Sequence, residues 1–234
     1  TALKQYAEDV IKRRERLQEE LSQDQELKGE LSLFCSVTAA YAILPGIITT
    51  YRQAHPKVQI RLTTGDPARA IGVLMNRDAH AVIAAMPRQL DKRIEFMELA
   101  VSPLVFIGPR QFPDTIVTRN KKIDWEKTPF IIPDRGLSRE RLDIWFAQNR
   151  ILPNVYSQVS GHEAVMALVS LGCGIGLVPR LVLDKSPVPK EVKILEDAHE
   201  LPAFVIGLCT LKKDLSNTRI KALWSLAGQC APPK

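Results

Sequence analysis

The feature that most limits what this chain can fold into is the repeated change of its apolar period beyond Gly29, from two residues to about 3.6 and back. Residues 30–36 alternate with Leu31, Leu33 and Cys35 on one face, the pattern of a strand. Residues 44–54 then read as a helix with Pro45 in its first turn, where the missing N–H costs nothing. Val58, Ile60 and Leu62 alternate strictly over 58–64, and Asp66-Pro67 opens a helix through Leu74 and Met75 with an acid at the cap. Residues 81–86 form a continuous apolar run, as a strand buried on both faces requires. Strand, helix, strand, helix, strand at this spacing defines an α/β unit with right-handed crossovers.

The pattern restarts after two strands expected at 94–99 and 103–107. A polar connection carrying Arg119, Asn120, Lys121 and Lys122 leads to a strand at 129–132. A helix at 138–148, a strand at 155–159, a helix at 162–171 and a strand at 175–178 closed by Pro179 follow. A last strand, 204–211, and an amphipathic helix with Ile220, Leu223, Trp224 and Leu226 are expected to return to the first unit. The reading is α/β, with two Rossmann-like lobes: 29–102 with 206–230, and 103–205. A cleft separates them, and such sheets bind ligands at the carboxyl ends of their strands.

Residues 1–28 read as a separate helix, with Leu3, Ala7, Val10, Leu17 and Leu21 in a stripe interrupted by Arg14. An exposed stripe of this kind calls for a partner helix, and a dimerising linker is favoured over packing on the chain's own body. The segment holds six basic and seven acidic residues, so it is not a basic arm. The whole chain carries 32 basic against 26 acidic residues, a net of +6, which leaves +7 on the two lobes. That excess admits a small organic anion as readily as a nucleic acid. The basic clusters at 12–16 and 119–122 are short and read as solvated faces, with no helix-turn-helix or RNP-like pattern beside them. The four cysteines are too widely spaced for a zinc site, and three lie in apolar, strand-like surroundings, the expectation being reduced thiols in a cytoplasmic protein. No apolar run approaches the roughly 18 residues of a spanning helix, so no membrane partner is expected.

Catalytic constellations are weak. His162-Glu163 lacks a second histidine one turn on, since position 166 is Met166, and no metal site is expected. The glycines Gly172, Gly174 and Gly176 follow a helix and precede a strand, the reverse of a dinucleotide fingerprint, and read as a tight turn. No catalytic residue and no cofactor are assigned, and the chain is not expected to be an enzyme. Binding features carry more weight. Ser36, Val37 and Thr38 end the first strand where a helix starts, gathering hydroxyls and free N–H groups suited to a carboxylate, although Ser36 and Thr38 serve equally as caps. Thr63, Thr64 and Gly65 end the second strand alike, and Asp66 is more readily a cap than a ligand contact. In the second lobe, Ser160-Gly161-His162 precedes a helix, and Arg135, Arg139 or Arg141 offers a guanidinium to clamp an anion.

The segment 29–38 (Gly-Glu-Leu-Ser-Leu-Phe-Cys-Ser-Val-Thr), then Leu44-Pro45, then His55-Pro56, and Gly172-x-Gly174-Ile175-Gly176-Leu177-x-Pro179 in this order resemble the effector-binding region of LysR-type transcriptional regulators. The resemblance runs over about 29–228. It implies two lobes of periplasmic-binding-protein type, a preceding linker helix, and a winged helix-turn-helix upstream of Thr1 that would carry the contact with promoter DNA. It also implies a homodimer or homotetramer, with an effector in the inter-lobe cleft. Segments 35–41, 62–66 and 161–164 are most similar to members governing branched-chain amino acid biosynthesis, whose effectors are small carboxylates, acetolactate or acetohydroxybutyrate. Such a ligand suits Ser36, Thr38 and Thr64 with a donor such as His162 or Arg135 from the other lobe, and the candidate site residues read from the sequence are Ser36, Val37, Thr38, Thr64, Gly65, Asp66, Arg135, Arg139, Ser160 and His162. The alternative is a transporter's solute-binding protein for a small organic anion, and an enzyme using the same cleft is a further rival. One departure stands out: Arg77 and His80 occupy positions where the family usually has glycine and aspartate.

Overall fold

Strand β1 (Gly29–Cys35) is the first element of the computed structural model, which describes residues 26–196 and 201–230. The expected linker helix therefore lies outside the described residues, except that 26–28 have no helical structure. Beyond β1 the chain forms α1 (Val37–Ala42), α2 (Leu44–Ala54), β2 (Val58–Thr64), a 3-10 turn (Pro67–Arg69) running into α3 (Ala70–Met75), and β3 (Ala81–Ala85). A 16-residue strand, β4 (Ile94–Pro109), then crosses to the second lobe. There the chain builds β5 (Thr118–Arg119), β6 (Lys122–Ile123), β7 (Pro129–Pro133), α4 (Gly136–Asn149), β8 (Asn154–Val159), α5 (His162–Ser170), β9 (Ile175–Pro179), α6 (Arg180–Lys185) and β10 (Val192–Ile194). Strand β11 (Leu201–Leu211) returns, and α7 (Thr218–Cys230) closes the described chain.

The two strands expected at 94–99 and 103–107 are one. Pro103 is accommodated within β4 near the point where the partner strand changes, from β11 before it to β9 after it. Because β4 and β11 both run through the two lobes, the hydrogen-bonded order β2-β1-β3-β11-β4-β9-β7-β8 is continuous, with β10 also on β4. The pairs β1–β2, β1–β3, β7–β8 and β7–β9 are parallel, and those made by β4 and β11 are antiparallel. The polar connection at 119–122 is a hairpin. Asn120 and Lys121 both take left-handed φ, 53° and 64°, which suits the twist of a two-residue turn.

Each lobe buries its own core. On β1, Leu31, Leu33 and Cys35 face α2 and α7, while Phe34 faces α3, so the period-two pattern sorts side chains to opposite faces of the sheet. Tyr51 of α2 is fully buried and donates its hydroxyl to the Arg219 carbonyl at 3.1 Å, which ties α7 back onto this lobe. The second lobe packs Phe106, Trp125, Phe130, Trp145 and Phe146 against one another on one face of its sheet. The aliphatic set Ile107, Ile131, Val165, Met166 and Val169 fills the other. Cys35 and Cys209 are buried thiols, pushed up by desolvation to about 11 and about 12. Cys173 lies in the turn after α5 rather than in a strand and is half-buried, and Cys230 is exposed. That turn has Gly172 at φ +80°, the left-handed position at which helices characteristically end.

Candidate functional site

The carboxyl ends of β1, β2 and β7 and the start of α5 bring the loops of the two lobes face to face. Asp66, at the end of the β2 loop, accepts the Ala68 N–H at 2.9 Å and so caps the 3-10 turn, the role read from the sequence. It also reaches the other lobe, accepting Arg135 Nε at 2.8 Å and Ser160 Oγ at 3.2 Å. Burial pushes the Asp66 carboxyl up, but these donors outweigh it and hold the group below the ordinary carboxylate range; Asp66 in turn raises Arg135. Gly136 makes this approach possible. Its φ is +82°, and a Cβ there would lie 2.8 Å from the Ala68 side chain across the cleft.

A second bridge links Thr38 with Glu163. Thr38, almost wholly buried, donates both its N–H, at 3.1 Å, and its hydroxyl, at 2.8 Å, to the same oxygen of Glu163. The neighbouring Ser36 accepts the Ala39 N–H on its hydroxyl at 3.1 Å and so caps α1.

Two cavities flank these bridges. One, of about 330 Å³, is walled by Asp66, Ala68 and Ala84 of the first lobe and by Arg135, Ser138 and His162 of the second. Ser138 Oγ lies 2.6 Å from His162 Nε2, and burial keeps His162 below its ordinary pKa against the opposing pull of Glu163 and Asp66. Of the acids on this wall, Asp66 and Asp91 are each tied to an arginine, Arg135 and Arg93. The second cavity, about 630 Å³ and mostly apolar, contains Val37, Thr38, Tyr41, Glu163, Met166 and Lys185.

The residues read from the sequence are thus divided. Asp66, Arg135 and His162 line the smaller cavity, and Val37 and Thr38 the larger. Ser36, Thr64, Gly65, Arg139 and Ser160 line neither. Thr64 is exposed, and Gly65 donates its N–H to the Cys35 carbonyl at 3.0 Å. Arg139 is paired within its own helix, its Nε donating to Asp143 one turn on at 2.8 Å. Arg141 bonds the Pro202 carbonyl and lies over the Phe204 ring, 4.4 Å from its centroid. Glu163, Ser138 and Gly136 were not read as site residues. Glu163 carries a signal in retrospect, since it directly follows the candidate His162, whereas Ser138 has none beyond its position in the first turn of a helix.

Arg77 and His80 also find their places. Arg77 has φ 63°, the conformation for which the family's glycine is suited. His80 Nδ1 accepts the Ser32 N–H at 2.9 Å, so the imidazole supplies the acceptor that an aspartate would offer.

Two lobes joined by two crossing strands, with polar loops meeting over a cleft, define an effector-binding domain. The chain belongs to the LysR family of regulators, and the model of the LysR substrate binding domain matches residues 24–231. It is 39% identical over 229 residues to the HTH-type transcriptional regulator IlvY of Escherichia coli (strain K12), covering 96% of this chain and 77% of that protein. It is 36% identical over 203 residues to the transcriptional activator IlvY of Haemophilus influenzae, covering 86% and 70%. These relatives are transcriptional regulators, not enzymes. Among solved structures, the effector binding domain of QuiR in complex with shikimate superposes with a TM-score of 0.69 at 22% identity, covering 88% of this chain and 98% of that one. That likeness carries the fold. Among the described residues no helix is long and apolar enough to cross a membrane.

Proposed function

We propose that this chain senses a small hydroxy-keto carboxylate, acetolactate or acetohydroxybutyrate, between its lobes, and so controls transcription of a branched-chain amino acid biosynthesis gene in the cytoplasm. The observation that carries the reading is the seam between the lobes, where Thr38 of the first lobe, on the wall of the cavity of about 630 Å³, and Arg135 with the Ser138–His162 pair of the second, on that of about 330 Å³, present donors from opposite sides. The likeness to IlvY regulators supports the choice of effector. In this reading the first lobe offers the paired donors of Thr38 to the carboxylate, and Arg135 and His162 address the hydroxyl and ketone. Residues 1–28 serve as the end of a dimerising helix, promoter DNA is held by an upstream domain, and dimers or tetramers transmit the change. The effector acts only through its difference in affinity for two lobe arrangements, because equal affinity for both would shift neither.

Calorimetry of acetolactate with the wild-type chain, Arg135→Ala and Thr38→Val tests this. Binding by the wild type and at least a tenfold loss in each variant are expected. Absence of binding by the wild type, or unchanged affinity in both variants, would remove the effector or the site.

A further inference from the structure

The Thr38–Glu163 contact is unusual among the inter-lobe bonds in what it resembles. A buried threonine presents two donors, backbone N–H and hydroxyl, and a carboxylate oxygen from the opposite lobe receives both at 3.1 and 2.8 Å. Donors so arranged recognise a carboxylate whatever molecule carries it, since charge-assisted bonds of this length are set by the atoms in contact. We infer that Glu163 is a tethered competitor of the effector: its carboxylate fills the Thr38 donors from the second lobe, so an effector carboxylate docks there only by displacing it. The inference rests on the reading that a small carboxylate enters between the lobes.

The surroundings permit the exchange. Thr38 and Glu163 both line the cavity of about 630 Å³, which leaves the displaced side chain somewhere to go. Lys185 lies on the wall of the same cavity and has no ion pair among the described residues, so it is an available partner for the released carboxylate. A tether of this kind raises the concentration of effector needed, because its effective concentration at the seat is set by the chain and not by the solution. It also bridges the lobes, so displacement removes one of the bonds that hold them in this arrangement. The effector then changes the lobe equilibrium by exchanging an intramolecular bond for its own.

The experiment follows the Thr38 amide resonance in isotopically labelled protein during titration with acetate, the simplest carboxylate, and measures acetolactate affinity by calorimetry. Glu163→Ala is expected to bring saturable acetate binding at a concentration at least tenfold lower than in the wild type, and to raise acetolactate affinity at least tenfold. Thr38→Val combined with Glu163→Ala is expected to lose the gain, which separates an emptied seat from a general loosening of the lobes. Equal acetate response in the wild type and Glu163→Ala, or a gain that survives in the double variant, would overturn the competitor. If acetate seats on Glu163→Ala as expected while acetolactate binds neither protein, the competitor stands and the assignment of the effector falls.

Discussion

The two lobes solve the same topological problem with different materials. The first lobe packs an aliphatic core, Leu31, Leu33, Ile47 and Ile83, and uses a polar pair, buried Ser32 with half-buried His80, to close the loop before β3. The second builds one face of its core around rings: Trp145 lies 4.7 Å from Phe106 and 5.1 Å from Trp125, centroid to centroid, and Phe130 meets Phe146 edge-on at 5.0 Å. Aromatic packing concentrates stability in a few large side chains, whereas the aliphatic lobe spreads it over many. The division extends to the cleft. The first lobe offers hydroxyl, backbone and carboxylate groups on short loops, and the second projects the long side chains Arg135 and Glu163 across to them.

The sharpest way to break this contrast is to remove one ring. Trp145→Ala is expected to cost about 3–5 kcal/mol, near the upper end of core truncations, because the side chain is 5% exposed and bounded by rings that collapse poorly. Its indole Nε1 has no partner among the described residues, so no hydrogen bond is lost with it. The check is a denaturant curve. Loss below about 1.5 kcal/mol would show that the rings do not carry the second lobe.

A smaller effect belongs to the polar pair of the first lobe. Burial, reinforced by Arg219, holds His80 below its ordinary pKa of 6.5, against the pull of Asp214 and Glu30. A histidine whose folded pKa is depressed takes up its proton less readily folded than unfolded. Its contribution is therefore complete above pH 6.5 and is lost as pH falls from there toward the folded value. Protonation also removes Nδ1 as the acceptor for Ser32 N–H, and an unpaired buried donor costs about 1–3 kcal/mol. Between pH 7.5 and 5 the unfolding midpoint of the wild type is expected to fall more steeply than that of His80→Asn, whose amide oxygen can accept without titrating. Parallel pH profiles would show that another group dominates.

The smallest expected effect is at Arg77. An arginine at φ 63° carries a strain that glycine lacks, so Arg77→Gly is expected to raise stability by up to about 1 kcal/mol, the usual order for relieving a left-handed residue. Thermal melts resolve a change of that size, and a loss on substitution would mean that the Arg77 side chain contributes more than its backbone costs.

Helix 44–54 and strand 58–64 were legible from period and punctuation alone, and both appear with those bounds. Local signals sufficed because an apolar stripe (Leu44, Ile47, Tyr51), a first-turn proline and strict alternation each act within one element. The unity of β4 was not legible: Pro103 interrupts the local pattern, and what carries the strand through it is the hydrogen-bonded partner on either side. At the site, the cap at Asp66 was readable from its neighbour Pro67, whereas its bonds to Arg135 and Ser160 join residues 69 and 94 positions away.

By itself the sequence determined the α/β alternation, the family, and the polar loops at the strand ends, because these depend on residue type and short spacing. Tertiary structure alone decided which of those polar groups are satisfied across the lobes. Ser36 capping its own helix and Arg139 pairing with Asp143 one turn on are local, whereas Thr38 takes Glu163 from 125 residues away and Asp66 takes Arg135 from 69. The reason is physical: a hydrogen bond needs its partner within about 3 Å at a defined angle, and only the folding of the second lobe onto the first sets that distance.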